Sequence, residues 1–193
     1  YKNKQMKKII TIATALLFLG CDSSTNNKTA NATPDSTSSS STSKSDAATG
    51  SATGTEITVT LTGGANAGTY TATSADPTCS EGLTGDKSFG NQYSVKGKAD
   101  NEFSSLQLII DDKDAAKSGT GVFYLKVAFG KILQGKSYEI NGGSSTMDMP
   151  KSGSGKATLM ETGNTKTVVI EGKTADGVGI SATIKCNSII TAG

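Results

Sequence analysis

Residues 56–62 read EITVTLT. Ile57, Val59 and Leu61 fall on one side of an extended chain; Thr58, Thr60 and Thr62 fall on the other. Successive side chains of a strand point to opposite faces, so this alternation predicts a half-buried strand with threonine outward. GTYTATS (68–74), QYSVKGK, SSLQLII, VFYLKVAF (122–129), KSYEIN, KATLME, KTVVIEGK and GISATIKC (179–186) repeat the pattern. The predicted inward set is Phe123, Leu125, Val127 and Phe129 in one run and Ile180, Ala182, Ile184 and Cys186 in the last. Glycine-, Asn- and Asp-rich clusters such as GGANAG, NGGSS and TADGVG separate these runs as turns. ETGNTK between two of them predicts a tight hairpin. The expected fold is all-β: one antiparallel β-sandwich or small β-barrel of about nine short strands over residues 55–193. The only helical signal is DDKDAAKSG, long enough for one turn.

Upstream of that domain the composition changes twice. Residues 22–54 are Ser, Thr, Asn, Ala and Gly with scattered charge and almost no large apolar side chain. Such a segment cannot bury enough surface to offset its ordering entropy, so residues 21–54 are expected to form a flexible tether reaching about 30 Å. Residues 1–20 have the parts of a secretory signal, with a true start at Met6. Lys7 and Lys8 supply positive charge, Ile9 to Leu19 an apolar run, and Gly20 a small residue before a cut. The run is shorter than the about 20 residues that span a bilayer.

LFLGC (17–21) resembles the lipobox of bacterial lipoproteins. The resemblance implies cleavage at Gly20–Cys21, lipidation of Cys21 and anchoring by acyl chains, each methylene contributing about 0.8 kcal/mol of membrane affinity. The implied location is the bacterial cell envelope, periplasmic or surface-exposed, at the outer membrane in a Gram-negative host. Asp22 resembles the inner-membrane retention signal of enterobacteria, so sidedness stays open. Asp35-Ser36-Thr37 resembles the O-glycosylation triplet of secreted Bacteroidota proteins. A lipobox, a polar tether and a β domain with two cysteines, the second on the final strand, also resemble the layout of small mycobacterial lipoprotein antigens.

Charge and residue usage narrow the function classes. The chain has no His, Trp or Arg. Removing the four lysines that precede Cys21 from the 19 present leaves 15 against 17 acids, a net charge of −2. Neither a nucleic-acid partner nor a polybasic membrane patch is expected from that balance. The membrane contact is expected through the lipid anchor, the domain as a monomer, with a protein or small-molecule partner not identified by the sequence.

Cys79 and Cys186 form an even pair in an exported domain, where cysteines tend to be oxidised. A disulfide pinning the loop SADPTCSEGL to the last strand is expected; two free thiols or a metal pair are the alternatives. Absence of histidine removes the commonest general base and metal ligand. A non-enzymatic binding or structural role without a cofactor is therefore expected. The alternatives are a carrier holding an apolar ligand inside a small barrel and a hydrolase built on a Ser–Lys pair. Asp111, Asp112 and Asp114 in DDKD are weak Ca²⁺ candidates, weighed against a solvated turn. SGSGK, ending at Lys156, lacks the full phosphate-loop pattern and reads as a mobile loop. Met147 and Met149 read as loop residues packed on one end of the domain.

Overall fold

The computed structural model describes residues 53–131 and 134–192. The signal, Cys21, the Asp35-Ser36-Thr37 triplet and nearly all of the tether lie outside the described residues. Eleven strands and one helical turn follow in order: β1 (Thr55–Thr62), β2 (Gly68–Ser74), β3 (Cys79–Glu81), β4 (Phe89–Ser94), β5 (Phe103–Ile110), α1 (Lys113–Lys117), β6 (Phe123–Phe129), β7 (Ser137–Asn141), β8 (Ser154–Thr162), β9 (Thr165–Lys173), β10 (Gly179–Cys186) and β11 (Ile189–Thr191). They form two open sheets, ordered β2-β1-β10-β9-β8 and β11-β3-β4-β5-β6-β7. The domain is thus a sandwich and not a closed barrel. Two strands beyond the expected nine, β3 and β11, are only three residues long, too short for alternation to register.

All pairings are antiparallel except β11 with β3. The chain leaves the first sheet at Cys186 and enters the second at Ile189, which pairs with Cys79. Residue 163 sits in the two-residue turn between β8 and β9 at φ 57°, a left-handed conformation that glycine adopts without steric cost.

The alternation read from the sequence sets the core. Ile57, Val59 and Leu61 meet Ile180, Ala182, Ile184, Val168 and Ile170 on the inner face of the first sheet. Leu106, Leu108, Ile110, Phe123, Leu125, Val127 and Phe129 oppose them from the second. β6 departs from the expectation, because Tyr124 on its other face is also buried, between Ile109 and Asn141 of the flanking strands.

SGSGK is not a loop. Ser154, Gly155 and Lys156 begin β8, and Gly155 lies opposite Gly172 of β9. A Cβ on Gly155 would come within 3.2 Å of the Phe123 ring, and one on Gly172 within 2.7 Å of Ile140 Cδ1. These two glycines let the second sheet press close, so a glycine pair that reads as a breaker is a packing requirement here. Met149 is 41% exposed and so does not pack the end of the sandwich.

The two ends of the core differ in chemistry. At one end, five aromatic rings from both sheets gather, with Phe129 at their centre. Its centroid lies 4.8 Å from Tyr70, 6.1 Å from Phe103 and 5.9 Å from Tyr138, and Tyr93 stacks on Phe103 at 5.7 Å. At the other end Cys79 and Cys186 form a disulfide, with Cα atoms 6.1 Å apart, that joins the two sheets. Cys79 lies on β3 and is fully buried, not in the loop its neighbours suggested. Thr78 and Thr55 hydroxyls hydrogen-bond beside it at 2.9 Å.

Beside the disulfide, Lys166 of β9 and Lys113 of α1 converge on Glu81 of β3. The Lys113 ammonium is 3.1 Å from the carboxylate; Lys166 also pairs with Glu161 at 2.9 Å, and Glu161 with Lys117 at 3.1 Å. Burial pushes the Glu81 carboxyl up, but hydrogen bonds from Lys166 and Lys113 outweigh it and hold it below its ordinary value. A lowered carboxylate pKa contributes stability that is present above the ordinary value of 4.5 and is lost as pH falls through the folded-state value. Glu81→Gln is accordingly expected to destabilise the domain by about 2 kcal/mol at pH 7, since it leaves two buried-side lysines short of a counter-charge. The penalty should shrink as pH falls below 4.5 and through the folded-state value, where the wild type also loses its charge. Thermal melts of both proteins from pH 7 downward, as far as both stay folded, check this; a difference that stays constant over the whole range would refute it.

Candidate functional site

No helix among the described residues is long and apolar enough to cross a membrane. A groove of about 510 Å³ lies on the outer face of the second sheet. Strand register explains it. Ser94, Ser105, Ala128 and Ser137 form one row across β4, β5, β6 and β7. The adjacent row is Gln92, Gln107, Lys126 and Glu139. Four small side chains beside four long ones leave a trough, and Lys131 and Gly135 wall its far end. A register shift between Phe103 and Ser105 inserts Ser104, whose hydroxyl donates to the Ala128 carbonyl at 3.1 Å. Such a bulge bends its strand and turns the sheet locally concave.

The groove offers serine hydroxyls, two primary amides and two ammonium groups. That set hydrogen-bonds a polar ligand without demanding a charge from it. Lys126 pairs with Glu139 at 2.8 Å, and this hydrogen bond raises its pKa above the ordinary lysine value.

The DDKD carboxylates do not converge. Asp111 accepts from the Ser144 hydroxyl and from the Ser145 amide and hydroxyl at 2.7 and 2.9 Å, tying the loop after β7 to the end of β5. Asp112 caps α1, accepting from the Asp114 and Ala115 amides at 2.9 and 3.2 Å, and the Ala115 bond is the main cause of its lowered pKa. Asp114 pairs with Lys117 at 3.4 Å. Among the described residues no three His, Cys, Asp or Glu side chains are grouped to hold a metal ion.

None of the groove residues stood out in the sequence. The alternation of VFYLKVAF placed Lys126 outward, but only the pairing register lines the small residues up. The Glu161–Lys166 pair faces across the hairpin that ETGNTK predicts, but the approach of Glu81 was hidden, because β3 lies far from that hairpin in the chain.

No family model matches the chain, and neither a curated protein nor a solved structure shows significant similarity to it.

Proposed function

We propose that the chain is a lipid-anchored bacterial envelope protein that displays the sandwich on a flexible stalk and acts by binding rather than by catalysis. The observation that carries the reading is the order of segments at the N-terminus. An apolar run ends in Gly20–Cys21 and passes directly into about thirty polar, core-less residues before the first strand at Thr55. Acyl chains on Cys21 would hold the protein at a membrane, and the stalk would set the domain clear of lipid head groups. The outer-face groove supports a polar, uncharged or weakly acidic partner. The apolar-carrier reading is less favoured: it needs a hollow closed sheet, whereas both sheets are open and their inner faces meet in a core of buried side chains.

Intact-mass measurement of protein extracted from native membranes tests the anchor. The expected species is residues 21–193 plus acyl chains, and Cys21→Ser is expected to move the protein into the soluble fraction. An unacylated chain, or an unchanged distribution of the variant, would refute lipid anchoring.

A further inference from the structure

Open sheets expose strand edges, and natural sandwiches block them with charge, brevity, bulges or covering segments. Three of the four edges here are blocked. β8 carries Lys156 and Glu161, and α1 packs beside it through Lys117–Glu161. β11 has three residues. β7 has five, with Glu139 at its centre, and is tied at its end to Ser152 through Asn141.

β2 has none of these defences. GTYTATS is seven residues long, pairs with β1 without a register shift, and contains neither charge nor proline. Its nearest charged neighbour in sequence is Asp76. Thr69, Thr71 and Thr73 are exposed on the outer face, while Tyr70 and Ala72 are only half-buried on the inner one. Their β1 partners on the inner face, Val59 and Ile57, are fully buried. A groove of about 310 Å³ separates Thr69–Thr71 from Lys98, Asn101, Glu102 and Phe103, and among the described residues no backbone hydrogen bond reaches β2 on the side away from β1.

We infer that β2 is a self-association edge that pairs antiparallel with β2 of a second copy, joining two five-stranded sheets into one of ten strands. A second copy is the occupant that the strand's own chemistry fits. An isologous contact sets every residue against its own strand reversed. Pairing centred on Thr71 places Thr71 against Thr71 and Thr69 against Thr73 of the second copy. Threonine pairs across strands are favourable, as the Thr60–Thr69 hydroxyl contact at 3.0 Å already shows within the domain. Within the strand pair itself no like charges meet, because GTYTATS carries none; Lys98 and Glu102 border the groove from the segment before β5. On the inner face, Tyr70 meets Ala72 of the second copy over the groove, completing the cover that both residues lack. A single strand pair buries less than the about 1,200 Å² of a stable interface, so the dimer is reversible, with dissociation in the micromolar range. This replaces the monomer expected from the sequence.

Sedimentation equilibrium of residues 21–193 bearing Cys21→Ser, so that no lipid contributes, provides the test. Concentration-dependent dimerisation is expected. Thr71→Lys sets two ammonium groups against each other on an exposed face and should weaken dimerisation at least tenfold. An equimolar mixture of Thr71→Lys and Thr71→Glu should restore it to within about threefold of wild type, because opposite charges then meet. Unchanged near-ultraviolet circular dichroism would show that each variant is folded. A wild type that stays monomeric to about 0.5 mM, above any micromolar dissociation constant, would overturn the inference. So would a Thr71→Lys variant that dimerises as well as wild type. A monomer whose β2 amides exchange slowly would also overturn it, by assigning the edge to the chain's own tether.

Discussion

Replacing Cys79 and Cys186 together by alanine is expected to lower the melting temperature of the domain by roughly 12–20 °C. The bond closes a loop of 107 residues. In the chain-entropy model a loop of that size restricts the unfolded chain by about 4–5 kcal/mol. For a domain near 140 residues each kcal/mol is worth about 3–4 °C. The bond also links the two sheets where the chain crosses from β10 to β11, and both cysteines are fully buried. Reductant alone should therefore leave the thiols unlabelled in native buffer, and labelling should follow unfolding in denaturant. A melting point within 2 °C of wild type in the double variant would show that the unfolded chain gains nothing from release, against the loop argument.

Phe129→Ala is expected to cost about 3–5 kcal/mol, the range for deleting a large buried aromatic. The ring is fully buried and touches Tyr70 of the first sheet and Phe103 and Tyr138 of the second, so its loss opens a void at the aromatic end of the core. Phe129→Leu, which keeps most of the volume, should cost under about 2 kcal/mol. Chemical denaturation of the three proteins measures both differences; equal stability of the Ala and Leu variants would mean the site collapses around the deletion. Phe129 and the disulfide lie at opposite ends of the sandwich, so their costs should add. Together they approach the 5–15 kcal/mol that is the whole stability of an ordinary domain. The combined variant is accordingly expected to be largely unfolded at 37 °C.

Most of the β architecture was legible because a half-buried strand writes its period into the sequence. The inward residues of β1, β6 and β10 follow the alternation of EITVTLT, VFYLKVAF and GISATIKC. The same rule fails where packing overrides local pattern. Cys79 sits on a strand of three residues, formed by pairing with β4 and β11 and tied to β10 by the disulfide. Gly155 lies in a strand opposite Gly172, where Phe123 crowds the space a side chain would need at Gly155 and Ile140 the space at Gly172. The DDKD run read as one acidic cluster, yet its three carboxylates serve the loop after β7, the start of α1 and Lys117 separately.

The sequence by itself determined an all-β domain, the inward faces of its long strands, the hairpin at Gly163 and the two cysteines available to pair. Each of these follows from the chemistry of residues close together in the chain. Only the tertiary structure decided that the sheets stay open, that the chain changes sheet between Cys186 and Ile189, that Ser94, Ser105, Ala128 and Ser137 line one trough, and that β2 is left as an unguarded edge. Those features arise from register and sheet order. Register is set by which distant strands bury their faces against each other, and no local stretch of sequence carries that information.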